Sequence, residues 1–207
     1  MTWAAGVALA LGGVQSCGVD VVTLRSGSMV PALFVGDRGL VDKTAYGWAL
    51  PFSAWRRGGP IFLTERVLPA RGDMIVFRAR GGDDRLLIKR VIGLPGDVVQ
   101  IRWDAVLLDG RALPRQELSA PQLGALSQRF HRAGLPPPRR AVWESVGETR
   151  YPILLGKDES STRAQDRACL VPPGHLFVLG DNRANSIDSR TWGPIRIEQV
   201  LGRLRPL

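Results

Sequence analysis

The sequence predicts an all-β protein: mainly antiparallel sheets forming a β-rich core, an inserted lobe, and a short apolar N-terminal helix ahead of them. Short apolar runs rich in Val, Ile and Leu recur along the chain, separated by Gly, Pro, Asp and Asn, the pattern of strands joined by turns. The 24 glycines and 15 prolines fit a turn-rich fold. At 207 residues and 44% hydrophobic content, the chain is long enough to bury one real core.

Residues 1–14 are apolar and small, with no charge; the first charged residue is Asp20 and the first basic one Arg25. The run is short for a membrane span, so it reads as an anchor, part of one, or a buried helix. Val19 to Leu24 is a short β-type run, and a second strand is expected in Leu33 to Asp42, after a Gly36-Asp37 turn. Between Ala45 and Leu63, Tyr46, Trp48, Phe52, Trp55 and Phe62 accompany Arg56-Arg57 and Gly58-Gly59-Pro60. Aromatic rings beside arginines suit a membrane interface; a hydrophobic loop packed on the core is the alternative. Asp73 to Arg80 and Arg85 to Ile92 read as a hairpin turning at Gly81-Gly82-Asp83-Asp84. Leu94-Pro95-Gly96-Asp97 ends the second arm. Val98 to Trp103, Ala105 to Leu108 and Arg111 to Leu113 read as strands, the last two joined at Asp109-Gly110. Pro114 to Arg150 shows no clear period and is expected to be a peripheral, partly irregular lobe, with His131 a solvated residue. Tyr151 to Leu155 and Leu176 to Leu179 read as strands, and Lys157 to Arg167 as a polar loop. The second of these strands delivers the turn Gly180-Asp181-Asn182-Arg183.

The formal net charge is +9, which suits nucleic acid or an anionic membrane surface. No zinc-ligand spacing, helix-turn-helix pattern or aromatic RNA-binding motif accompanies it, so nucleic acid is the weaker choice. Only Cys17 and Cys169 are present. They could form one bridge, but nothing in the sequence brings them together.

Two stretches carry chemistry. Only three of the 28 basic residues are lysines, and one of them, Lys89, sits in the apolar run Leu86-Leu87-Ile88-Lys89-Arg90-Val91-Ile92. A buried lysine titrates low and becomes a usable base, whereas a guanidinium stays protonated. The alternative is a lysine snorkelling from a sheet edge. Upstream lies Ser26-Gly27-Ser28-Met29-Val30-Pro31, a short stiff segment with two hydroxyls. By itself it is an ordinary turn; paired with a base, Ser28 is a nucleophile.

Four blocks in order decide between these readings: Ser26 to Pro31, Arg71-Gly72-Asp73-Met74-Ile75-Val76-Phe77, Ile88 to Asp97, and Gly180 to Gly193. Together they resemble the signature boxes of bacterial type I signal peptidase, the Ser/Lys leader peptidase family. The resemblance implies a serine endopeptidase with Ser28 as nucleophile and Lys89 as general base. It implies that Ser26 supports the oxyanion and that Ser186 hydrogen-bonds the lysine. Asp181, Arg183, Asp188 and Arg190 are expected to form structural ion pairs that fix the loop near the site. The implied substrates are signal peptides of exported preproteins, bound as an added strand and cut after small-x-small patterns such as Ala-x-Ala. Met29 and Pro31 are near enough to Ser28 to line a pocket. The implied partners are these peptides and membrane phospholipid, with no nucleic acid, and no cofactor or metal is required. The implied location is the bacterial cytoplasmic membrane, with the catalytic domain on its extracytoplasmic face. Residues 1–17 then form an anchor, residues 18–97 and 175–207 a catalytic core, and residues 98–174 an inserted variable lobe. The chain departs from the commonest pattern at Ala32, where Thr is frequent, and at Ala184, where an acidic residue is frequent; tuning rather than loss is expected. Alternatives are a pilin-processing or self-cleaving Ser/Lys peptidase, or a non-catalytic membrane-anchored module that binds extended peptides.

Overall fold

The computed structural model describes residues 18–48, 50, 60–79, 85–102, 105–138, 140–156 and 168–207. Residues 1–17, Phe52, Trp55 and Arg56-Arg57, the turn at Gly81 to Asp84 and the polar run 157–167 lie outside the described residues. In chain order the strands are β1 (Val19–Thr23), β2 (Arg38–Asp42), β3 (Met74–Arg78), β4 (Leu86–Gly93), β5 (Val98–Arg102), β6 (Ala105–Leu108), β7 (Arg111–Ala112) and β8 (Arg115–Glu117). Helix α1 (Ala120–Arg132) follows, then β9 (Ala141–Val146), β10 (Thr149–Leu154), β11 (Cys169–Leu170) and β12 (His175–Leu179). The short helix α2 (Ser189–Trp192) precedes β13 (Ile195–Arg196) and β14 (Val200–Pro206). The protein is all-β, as the sequence predicts.

A seven-stranded antiparallel sheet runs β1-β2-β14-β3-β4-β12-β13. A four-stranded sheet, β11-β5-β6-β7, and a three-stranded sheet, β10-β9-β8, lie beside it. Strand alternation sorts the apolar residues of the large sheet between its faces. Ile75, Phe77, Val91 and Val178 pack with Tyr46, Leu176 and Ile195. Val76 and Ile88 pack instead with Val22, Leu24, Met29, Leu33 and Leu204. Ile92, Phe177 and Leu179 join Val99, Ile101, Val142, Val146, Tyr151 and Ile153 in a core that all three sheets share. The Asp109-Gly110 turn has φ of 50° and 77°, the left-handed pair that a tight hairpin with a right-handed twist requires.

The stretch 114–150 is more regular than its sequence suggests. Pro114 to Arg150 contains β8, the 13-residue α1 and β9. Helix α1 starts at Ser119, whose N–H donates to Gln122 Oε1 at 3.0 Å, with Pro121 in its first turn. Only Leu126 and Phe130 of the helix are buried, so its apolar stripe is too narrow to stand out as a period. His131 is exposed. The sequence reading also assigned no element to the last residues, yet β14 lies inside the sheet between β2 and β3. Its Val200, Gly202 and Leu204 alternate inward. A Cβ on Gly202 would come within 2.6 Å of the Asp42 carbonyl oxygen, so the close approach of β14 to β2 requires glycine there.

Gly72 is tighter still: it has φ of +91°, and a Cβ would meet the Thr149 side chain at 2.3 Å. Its carbonyl accepts a hydrogen bond from Arg90 Nη1 at 2.7 Å. Gly72→Ala is expected to cost at least about 2 kcal/mol, from overpacking plus the left-handed backbone. Urea unfolding measures it, and an unchanged midpoint would mean that the Gly72–Thr149 contact relaxes freely.

Candidate active site

Lys89 lies in β4, which is flanked by β3 and β12, with Ile75 as its partner across β3. A strand paired on both sides cannot shift without breaking two ladders, so the lysine stem is held rigidly. The residue is 3% exposed. Its Nζ donates to Ser28 Oγ at 2.7 Å across 61 residues of sequence. Burial pushes the amine from its ordinary 10.5 down to about 8, against the pull of the Asp188 and Asp181 carboxylates.

Ser28 sits in a single 3-10 turn, Gly27–Met29. Ser26 caps this turn in an extended conformation, and its Oγ accepts the Ser28 N–H at 3.3 Å. The following Val30 is also extended, as expected before a proline. The turn is fastened at both ends. Met29 and Leu33 are inserted in the core beside Ile88, the residue before Lys89. From the other side, the Asn182 N–H donates to the Ser28 carbonyl at 3.0 Å and Asn182 Nδ2 donates to the Gly27 carbonyl at 3.1 Å. Ser28 itself stays half-buried, leaving its hydroxyl reachable.

The turn after β12 depends on three buried or half-buried ion pairs. Asp181 takes a bidentate pair from Arg90, with Nε to Oδ1 at 2.9 Å and Nη2 to Oδ2 at 2.7 Å. The Arg90 guanidinium also stacks 4.0 Å from the Tyr151 ring. Arg183 forks onto Glu144 of β9, which in turn accepts from Tyr151 Oη and Arg115 Nε. Burial alone would raise the Glu144 carboxyl, but Arg183 and Arg115 outweigh it and hold it below its ordinary value. Arg190 pairs with Asp188 and donates to the Arg183 and Ser186 carbonyls. Asp188 in turn accepts the Gly180 N–H at 3.0 Å. Gly180 needs to be glycine, because a Cβ there would lie 2.6 Å from the Ser28 carbonyl oxygen and 2.2 Å from Ser186 Oγ.

Ser26, Ser28, Lys89, Asp181, Arg183, Ser186, Asp188 and Arg190 therefore lie together here, with two differences from the expectation, while Met29 is buried in the core rather than lining a pocket. Asp181 and Arg183 do not pair within their own turn; their partners are Arg90 and Glu144, from other strands. Arg90 had a signal, since it is a second cation in an apolar strand; Glu144 had none, lying far off in a stretch read as irregular. The expected Ser186–Lys89 hydrogen bond is not made either. Ser186 Oγ is buried against the Gly180 backbone with no partner in hydrogen-bonding geometry, though it lies close enough to Asp188 to favour that carboxylate's ionised form.

A sequence model of the family described as signal peptidase, peptidase S26, matches residues 1–207. The chain belongs to that family. Signal peptidase I of Pseudomonas aeruginosa is 35% identical over 188 residues, covering 88% of this chain and 58% of that protein. Signal peptidase I of Pseudomonas fluorescens is 36% identical, covering 88% of this chain and 58% of that protein. Signal peptidase I of Bacillus caldolyticus is 32% identical, covering 86% and 72%. This family member thus spans less than two thirds of the length of the two Pseudomonas relatives.

Two outcomes are expected. Asp181→Ala leaves the Arg90 guanidinium buried without its carboxylate and should destabilise by about 3–5 kcal/mol. Denaturant unfolding reads this, and a loss under about 1 kcal/mol would mean that Tyr151 and the Gly72 carbonyl suffice for Arg90. Lys89→Met should stabilise at neutral pH, because the folded amine titrates near 8 and the unfolded one near 10.5. The folded state carries the whole penalty, on the order of 3 kcal/mol, below pH ~8, and loses it as pH rises toward ~10.5. The gain of the variant over wild type should shrink across that window; a gain independent of pH would show that the amine titrates normally.

Proposed function

We propose that this chain is a membrane-associated serine endopeptidase that removes N-terminal signal peptides from exported preproteins. The observation that carries the proposal is the 2.7 Å contact between a half-buried hydroxyl and a buried lysine amine with a depressed pKa. Membership of the signal peptidase family supports the substrate class.

In this reading, neutral Lys89 accepts the Ser28 proton as Oγ attacks the peptide carbonyl. The developing oxyanion is met by the Ser28 N–H and the Ser26 hydroxyl, which lie side by side in the resting turn. One such donor is typically worth about 3–4 kcal/mol of transition-state stabilisation. The protonated lysine then donates to the departing peptide amine and, neutral again, takes a proton from the water that attacks the acyl carbon; that proton passes to Ser28 Oγ as the acyl group leaves it. A Ser-Lys pair is an accepted variant of the nucleophile–base arrangement. Asp188 and Asp181 lie close enough to favour the ammonium once it forms. The proposed cleavage follows small-x-small sequences such as Ala-x-Ala, with the peptide held extended.

Membrane contact is supported by the segment after β2. Tyr46 turns inward and donates to Asp73 Oδ2 at 2.9 Å. Its neighbours turn out: Trp48 is 63% exposed, Leu63 65% and Val67 64%, with Leu50, Ile61 and Leu68 also exposed. Backbone hydrogen bonds from Leu50 to Ile61 and from Leu63 to Trp48 hold these side chains in one ribbon. Clustered apolar side chains with an indole among them suit the headgroup depth of a bilayer. The net charge of +9 favours an anionic lipid surface. The proposed location is the bacterial cytoplasmic membrane, with this domain on the extracytoplasmic face. Among the described residues, no helix is long and apolar enough to cross a membrane.

Ser28→Ala and Lys89→Ala should each abolish cleavage of an Ala-x-Ala preprotein in detergent while circular dichroism stays unchanged. Wild-type kcat/KM should climb about tenfold per pH unit below ~8 and level off above it, because only the neutral amine takes the proton. Cleavage retained by either variant, or a flat profile between about pH 6 and about pH 9, would remove the dyad.

A further inference from the structure

The segment after Ser28 is gripped from outside the large sheet by helix α1, a contact that the chemistry above does not use. Val30 and Phe34 pack with Leu126 and Phe130 of α1 and with Ala141 and Leu154. The Phe34 and Phe130 rings meet edge to face at 5.1 Å. Arg129 reaches three points of the same loop. Its guanidinium lies 4.5 Å from the Phe34 ring, its Nη1 donates to the Pro31 carbonyl at 3.4 Å, and its Nη2 donates to Asp37 Oδ2 at 3.2 Å. The same Asp37 oxygen accepts the Phe34 N–H at 2.8 Å. Loop and strand are also tied together, since the Leu24 N–H donates to the Asp37 carbonyl and the Gly36 N–H to the Leu24 carbonyl, both at 2.9 Å. The Ser28 turn is thus bracketed by Asn182 on one side and by the Arg129-braced loop on the other.

We propose that Arg129 is a positioning residue for the Ser28 turn, holding residues 30–37 so that the hydroxyl stays on the Lys89 amine. The proposal rests on the reading of Ser28 as nucleophile. Geometry favours arginine over lysine, since only a planar fork stacks on a ring while donating to two acceptors. Magnitude separates positioning from stability. Arg129 and Asp37 side chains are 42% and 38% exposed, and an ion pair in that setting adds little to global folding. A nucleophile misplaced by a fraction of an ångström, in contrast, loses rate steeply.

The test uses the full chain in detergent as wild type, Arg129→Ala and Arg129→Lys, with hydrogen exchange over residues 29–37 and steady-state cleavage of an Ala-x-Ala peptide. Arg129→Ala is expected to speed exchange at Leu33, Phe34 and Gly36 and to lower kcat about tenfold, with KM within about twofold and the melting temperature within about 3 °C. Arg129→Lys, which keeps the charge but not the fork, should fall between the two. Unchanged exchange in Arg129→Ala, or faster exchange with unchanged kcat, would overturn the proposal, as would Arg129→Lys matching wild type in both. Cleavage by Ser28→Ala would remove the nucleophile reading instead; the exchange result is independent of it.

Discussion

Keeping an amine buried on an interior strand of a seven-stranded sheet costs this fold on the order of 3 kcal/mol at neutral pH, a large part of what a domain has to spare. The position explains how the cost is borne. β4 is an interior strand, and Lys89 on it is only 3% exposed, so its amine is largely withdrawn from water. Asp188 and Asp181 temper the penalty without cancelling it, leaving the amine near 8 rather than lower. Deeper isolation would leave the amine a weaker base, and more exposure would leave it charged.

The distance between amine and hydroxyl is set by a closed ring of contacts. Lys89 and Arg90 are successive residues of one strand, so they point to opposite faces. Arg90 binds Asp181, the next residue Asn182 binds the Ser28 and Gly27 carbonyls, and Ser28 Oγ meets Lys89. Each link is short, and the Arg90–Asp181 link is buried. The ring tolerates little slack, and Gly180 shows how little: one methyl there would strike both Ser28 and Ser186.

The three-stranded sheet is tied to this ring. Glu144 on β9 takes the Arg183 fork, and Tyr151 on β10 both stacks under Arg90 and bonds Glu144. Removing one partner of the Arg183–Glu144 pair leaves a charge stranded in the core, which is far more expensive than losing an exposed ion pair. Glu144 and Asp188 are both held below ordinary carboxyl values, so their contribution is present at neutral pH and is lost as pH falls through those lowered values.

What can be read from the sequence alone is local: apolar runs mark β1 to β7, β10 and β12, Asp109-Gly110 marks a turn, and Lys89 stands out as a lysine in an apolar strand, with snorkelling from a sheet edge left open until the likeness to a known family is weighed. Ser26 and Ser28 were legible only through their likeness to a known family, since two serines around a glycine are physically no more than a turn. What the tertiary structure alone decided was pairing. Helix α1 was missed because it buries only Leu126 and Phe130, and β14 because two of its three inward positions are masked by Gly202 and by flanking arginines. That Asp181 belongs to Arg90, Arg183 to Glu144 and Arg129 to the Ser28 loop is written in no local pattern. Such partners lie 39 to 98 residues apart, and an ion pair or a bracing stack at that range depends on where the sheets bring the backbone, not on spacing along the chain.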